Sequence, residues 1–461
     1  MADRTADHRS STGSRPAGRP DPARRAAFQL LRTVDADGAY ANLALPRLLR
    51  DHRLGSRDAA LATELAYGTL RAQGILDEII AGCARRPVER LDAPVLDLLR
   101  LGTYQILRTR IPPHAAVSAT VDLSRRVGAG RSGGLINAVL RAVTDRTWDE
   151  WADEITVGRP ALERLAARHA HPVWIAEAFA GVLPAEELAE ALESDDQRPA
   201  THLVARPDLI ERDELVRAAG PNAQPGPWSP YAVRLDGGDP GHLAPVRDGR
   251  AGVQDEGSQL AALALVNVEL TGRDAHWLDL CAGPGGKTAI LAGVAARRGA
   301  DVTANELHEH RAELVRATTA HWSVEVIVGN AADVPVRDCG YDRVLLDAPC
   351  TGLGALRRRP EARWRRTPED LVALGALQAR LLDAAIRLSR SGGVIAYVTC
   401  SPHAQETSAI VAGAVETGAV VPIDARPAFP GVPNLGDGPF VQLWPHRHGT
   451  DAMFTALLRR T

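Results

Sequence analysis

Trp277-Leu278-Asp279-Leu280-Cys281-Ala282-Gly283-Pro284-Gly285-Gly286-Lys287-Thr288 is the stretch that decides the fold of the larger part of the chain. An apolar strand runs into a glycine-rich turn, and a helix-forming run follows from Lys287. Glycines let backbone amides approach a ligand closely, and a helix N-terminus favours a negative group. The phosphate-cradling spacing GxxxxGK[ST] fails here, because counting back from Gly286 puts Cys281 in its first position. Next comes Asp301-Val302-Thr303-Ala304-Asn305-Glu306, a second strand with an acid at its C-terminal end. In an open α/β sheet that place receives a ribose hydroxyl pair. A nucleoside without pyrophosphate is the expected ligand, and S-adenosylmethionine fits.

Outward from the loop, strands at 275–280, 301–305, 324–328, 342–346 and 394–398 alternate with helices at 287–297, 309–319, 368–388 and 405–416. That alternation predicts a doubly wound parallel sheet, a Rossmann-like α/β domain over 251–461. Residues 22–147 have helical periodicity, in runs such as 27–34, 58–70, 75–83, 95–107 and 117–127, and predict an all-α domain. Residues 148–250 read as a small α+β module, with short strands at 202–205 and 232–235. Residues 1–21 are polar and read as a disordered tail.

Composition bounds the rest. The chain has 461 residues, 45% hydrophobic and 24% charged, which predicts a multidomain protein and excludes fibrous and wholly disordered classes. No run of about 18 apolar residues predicts a membrane span. The N-terminus lacks the apolar core of a secretory signal, and five cysteines are too few and odd in number for a disulfide framework. A cytoplasmic protein with reduced thiols is expected. Net charge is -3, so no global basic excess announces nucleic acid. Lys287 is the only lysine among 54 Lys+Arg residues.

Two further strands end in cysteines. Val344-Leu345-Leu346-Asp347-Ala348-Pro349-Cys350 delivers Asp347 and Cys350 to the sheet rim, where open α/β sheets bind ligands. Val394 to Thr399 delivers Cys400, with Gln405 and Glu406 opening a helix beyond it. No C-x2-C spacing supports zinc, so no metal is expected. After Cys350 come six arginines and Trp364 within 357–366, a cluster suited to phosphates and a stacked base.

The segments LDLCAGPGGKT (278–288), DAPCTGLG (347–354) and TCSPHAQE (399–406) resemble those of the RNA 5-methylcytosine methyltransferases. The stretches LATELAYGTLR, LDEII, LDLLRLGTYQIL and GLINAVLRAV resemble the NusB fold. Together they resemble the Sun/RsmB-type family of bacterial 16S ribosomal RNA cytosine-5 methyltransferases. The resemblance implies that Cys400 is the nucleophile and that Cys350 assists release of the adduct. It implies that Asp347 stabilises the base and that Lys287 lies close by. It implies a cofactor site of Cys281, Ala282, Gly283, Pro284, Gly285, Gly286, Lys287, Glu306, Asn330 and Asp347. Family members usually have Asp where Glu306 stands, and an Asp where Asn330 stands; Asn330 and Asp333 are both open as adenine contacts. Arg357, Arg358, Arg363 and Trp364 are the expected RNA contacts. The partner implied is small-subunit ribosomal RNA, and a monomer is expected. Two other readings stand beside this one: an amino-group RNA methyltransferase, and a non-catalytic NusB-like RNA-binding factor.

Overall fold

The computed structural model describes residues 21–335 and 340–461. The tail expected at 1–21 lies, apart from Asp21, outside the described residues. The chain forms two compact units: one takes in residues up to 39, 43–69 and 76–151, the other residues 40–42, 70–75 and 152–461.

The first unit is helical, with its longest helix at Ser56–Ala84 and others at Ala93–Arg108, Pro113–Arg126 and Gly133–Val143. The apolar runs 58–70 and 75–83 form one helix rather than two, since Gly74, the glycine between them, costs only about 1 kcal/mol. Gly68 lets the next helix pack closely: a Cβ there would lie 2.0 Å from the Tyr104 ring. Arg100 forks onto Asp77 with two 2.7 Å bonds.

The second unit holds two sheets. The smaller is antiparallel, in the order β2-β3-β1-β4, built from β1 (Thr201–Ala205), β2 (Ala223–Pro225), β3 (Ala232–Leu235) and β4 (Ala251–Val253). Its strand β4 pairs with β1, so this sheet crosses the boundary expected at 250/251. The larger sheet runs β10-β12-β9-β8-β5-β6-β7. Its strands are β5 (His276–Asp279), β6 (Asp301–Glu306), β7 (Val324–Val328), β8 (Tyr341–Asp347), β9 (Ser389–Thr399), β10 (Val420–Ile423), β11 (Val441–Gln442) and β12 (Phe454–Arg460), with β11 attached to β12. The five strands β5 to β9 are parallel, but β12 pairs antiparallel with β9 and β10. The sheet is therefore mixed, not wholly parallel. Residues 454–460 enter it without a crossover helix, and no alternation signals them in sequence.

Buried charge fixes the far end of the sheet. Asp342 is fully buried and accepts from Arg273, Arg390 and the backbone amides of Ala275 and His276. At the other end, between β5 and β8, the chain order reverses direction. That is the switch point where such sheets open a ligand crevice.

The small sheet is docked on the helix Gly286–Arg298. A Cβ at Gly293 would lie 2.3 Å from the Pro207 carbonyl oxygen. Helix propensity alone makes Gly→Ala stabilising by about 1 kcal/mol, whereas overpacking against backbone costs about 1–3 kcal/mol. Gly293→Ala is expected to lower the urea midpoint of this unit. A raised midpoint would show that the close approach does not exist.

Candidate active site

Four strand ends build the site. After β5, the loop 280–285 turns into the helix Gly286–Arg298 with Gly285 at φ +105°. A Cβ at Gly285 would meet Thr318 at 2.9 Å, and one at Gly283 would meet Glu306 Oε2 at 2.2 Å. These two positions therefore need glycine, one for its dihedral and both for space. The Gly283 amide donates to Glu306 Oε2 (3.0 Å), and Ala282 donates to the Asn305 carbonyl. Pro284 accepts from Thr318 Oγ1, and Arg311 donates to the Gly283 carbonyl. Glu306, at the end of β6, is thus tied to the loop.

Below the loop lies a cavity of about 160 Å³, lined among others by Gln254, Asp279, Cys281, Gly283, Lys287 and Asp347. Lys287 Nζ donates to Asp347 Oδ2 at 2.6 Å. Burial alone would weaken the ammonium's hold on its proton, but the Asp347 carboxylate outweighs it and holds the Lys287 pKa above normal. Burial pushes the Cys281 thiol up, helped by Asp279 and Asp347, so this cysteine stays a neutral lining group.

Two acceptors here have no partner among the described residues: Asp279 Oδ1 and Gln254 Oε1. Burial pushes the Asp279 carboxyl up to about 7, despite the bond it accepts from Thr288. Orphaned buried acceptors call for a donor from a ligand. An ammonium group is such a donor, and the methionine end of S-adenosylmethionine carries one. Gln254 was not legible in sequence. It follows β4 of the small sheet and reaches this cavity only through the fold. Asn330, by contrast, is exposed and caps the turn Ala331–Asp333 through the Ala332 amide; Asp333, also exposed, ends that turn.

At the ends of β8 and β9, Cys350 Sγ and Cys400 Sγ stand 3.4 Å apart. The Cys350 thiol beside it favours the Cys400 thiolate against burial, and Arg359 and Lys287 add positive charge, so the Cys400 pKa falls below normal. Cys350 moves the opposite way, raised by Cys400 and by burial. The Cys350 loop is pinned by Glu406, which is fully buried. Its carboxylate accepts from the Thr351 amide (2.8 Å), the Thr351 hydroxyl and Gln378 Nε2 (3.0 Å). The sequence placed Glu406 only at a helix start; its role as an anchor appears with the fold.

The arginine cluster behaves differently from expectation. Arg357 is buried and donates to the Gly449 carbonyl and Asp451. Arg358 joins Asp255 (2.7 Å), Asp451 and the Ala200 carbonyl. Arg363 is fully buried and donates to the Ala170 and Asp195 carbonyls. The Trp364 indole donates to the Leu70 carbonyl within the same unit. These four residues hold the protein's own acceptors and are not placed to take phosphates. Arg359 and Arg365 are the exposed cations of the cluster. Among the described residues no His, Cys, Asp or Glu cluster could hold a metal, and no helix is long and apolar enough to cross a membrane.

Comparison with known proteins places this geometry. Residues 266–459 match the family model for 16S rRNA methyltransferase RsmB/F, and residues 21–145 match the NusB family. A putative methyltransferase of Mycobacterium tuberculosis is 54% identical, over 96% of this chain and 98% of its own length. Ribosomal RNA small subunit methyltransferase B of an Escherichia coli strain is 34% identical, over 90% of this chain and 97% of its own. The crystal structure of PH0851 superposes with a TM-score of 0.80, at 22% identity, over 96% of this chain and 99% of that one. NSun6 from Pyrococcus horikoshii has a TM-score of 0.54 at 18% identity, over 63% of this chain and 98% of that one.

Asp279 supplies a test of the cavity. Its carboxyl ionises near 3.8 when solvated and near 7 when folded. The folded state therefore keeps a proton that the unfolded state releases, and stability falls as pH rises between those values. Asp279→Asn is expected to flatten that part of the pH–stability curve, measured by urea unfolding. An unchanged slope would remove Asp279 from the account.

Proposed function

The chain belongs to the RsmB/F family of 16S rRNA methyltransferases, and on that premise we propose that it methylates carbon 5 of a cytosine in small-subunit ribosomal RNA. The observation that carries this reading is the pair of thiols 3.4 Å apart at adjacent strand ends. An amino-group methyltransferase needs neither thiol.

Carbon 5 of cytosine is too weak a nucleophile to take a methyl group unaided. Cys400, favoured as thiolate by its surroundings, adds to carbon 6 and makes carbon 5 enamine-like. S-adenosylmethionine supplies the methyl group as an electrophile. Asp347, held by Lys287 (2.6 Å), hydrogen-bonds the base near ring nitrogen 3 and stabilises the adduct. Cys350 then assists loss of the carbon 5 proton; the electrons left behind re-form the ring double bond and expel Cys400 as thiolate. Glu306 would hold the ribose diol, the loop from Cys281 to Lys287 would flank the cofactor, and Asp279 with Gln254 would take its ammonium. The target base must leave its stack to reach the thiols.

The two cysteines separate by experiment. Removing the nucleophile prevents the adduct, whereas removing the release group lets it form and persist. Cys400→Ser is expected to be inactive and free of RNA on a denaturing gel. Cys350→Ser is expected to lack turnover yet retain RNA after incubation with S-adenosylmethionine. Wild-type protein is expected to be trapped by RNA carrying 5-fluorocytosine. If Cys400→Ser holds the RNA, the roles are reversed; if neither variant loses activity, the thiol mechanism is wrong.

The cofactor assignment is tested separately. Glu306→Ala is expected to weaken S-adenosylmethionine binding at least several-fold, because a carboxylate–diol contact is charge-assisted. Unchanged affinity by calorimetry would take Glu306 out of the site.

A further inference from the structure

A second cavity, of about 340 Å³, opens beside the Cys400 loop. Three elements form it. The helix Val173–Ala180 and the turn after it give Trp174, Glu177 and Val182; the first turn of the helix Pro368–Leu388 gives Leu371; the segment beyond Cys400 gives His403 and Ala404. Nothing in the reaction described above uses these residues. Resting on the RNA-methylation reading, we propose that this groove is a base-binding subsite, which takes one unstacked nucleobase of the substrate strand close to the target cytosine.

Position is the first argument. Only Ser401 and Pro402 separate His403 from Cys400, and both are buried. The Ser401 carbonyl accepts from Thr399 Oγ1 (3.0 Å), and its hydroxyl lies 3.3 Å from Thr351 Oγ1. The groove is therefore fixed relative to the thiols, within about 11 Å along the chain. That is the length of a few nucleotides at about 3.4 Å each.

Chemistry is the second. His403 Nδ1 accepts from the Gln405 amide (3.2 Å). Burial lowers the His403 pKa, so the ring is neutral and its proton sits on Nε2, as a donor. Glu177 is an exposed carboxylate, an acceptor. Trp174 is a half-buried indole, while Leu371 is buried and gives the groove an apolar wall. One aromatic plate, one donor, one acceptor and an apolar wall complement a nucleobase, with its π-faces and its mixed edge. The Glu177 carboxylate repels phosphate, so a base rather than the backbone occupies the groove. The backbone has its own cations nearby: exposed Arg365 and half-buried Arg366 come shortly before Pro368, which also lines the groove.

Energetics is the third. Turning the target cytosine out of its stack exposes a face of its neighbour. Stacking that neighbour on an indole restores the lost contact and holds the opened strand.

The experiment uses the full chain and a small-subunit ribosomal RNA fragment that the wild-type protein methylates. Single abasic nucleotides are placed in turn at each position around the target. For wild type, one position is expected to raise KM about tenfold with little change in kcat. Trp174→Ala is expected to raise KM similarly and to become insensitive to that abasic site, while Trp174→Phe restores most of the loss. Glu177→Ala, on an exposed position, is expected to fold normally and to lose discrimination between bases at that position. If Trp174→Ala remains as sensitive as wild type to every abasic site, or if it lowers kcat with KM unchanged, the subsite does not exist. If Trp174→Ala does not fold, unchanged discrimination by Glu177→Ala overturns the proposal by itself. A ribosomal-protein segment as the true occupant would show as abasic-insensitive wild-type kinetics on naked RNA, and also overturns it. Failure of the methylation reading is distinct: the wild-type protein would then methylate no fragment.

Discussion

Asp347 lies opposite Val398 in the parallel pairing of β8 with β9, and that register sets everything at the rim. The Ala348 amide extends the ladder onto the Val398 carbonyl, and the Gly354 amide returns to the Cys400 carbonyl at 2.9 Å. The loop between them, carrying Cys350, is thereby laid across the end of β9. Gly354 can do this because nothing projects from its Cα: a Cβ would lie 2.0 Å from the Ala452 carbonyl oxygen. Glu406 then fastens the loop from the other side. A one-residue slip would turn Asp347 to the other face of the sheet. It would part the thiols and break the Lys287 pair together.

The rest of the second unit serves that rim from the inside, largely with arginine. Asp255 and Asp451 are buried beside Arg357 and Arg358, and the arginines hold the Asp255 carboxyl well below its usual range. Arg343 forks onto Asp274 and reaches the Leu265 carbonyl. A planar guanidinium with five donors can satisfy several carbonyls and a carboxylate at once. Breaking such a pair leaves an uncompensated buried charge, which costs far more than its formation gains.

That use of arginine explains what was legible in the sequence and what was not. The glycine loop, the acid that ends β6 and the two strand-end cysteines could be read, because each is specified by neighbours in sequence. The fate of the 357–366 cluster could not. Arg357 finds its carboxylate 94 residues away, and no local pattern marks a charge as internal. The same limit hid Gln254, which belongs to a different sheet from the loop it faces, and strand β12, whose partners are set by tertiary packing. The reach of the small sheet past 250/251 was hidden for the same reason: β4 is too short to read alone and is defined by its pairing with β1.

Lys287 is the only lysine in the chain, and it stands in the site with its side chain 11% exposed and its nitrogen on Asp347. Every cation on the surface that is not histidine is a guanidinium or the α-amino group. An acylating reagent directed at primary amines therefore has one side-chain target in the whole molecule. Its rate of reaction reports on the Lys287–Asp347 pair and on whatever fills the cavity beside it, with no background from any other side-chain amine.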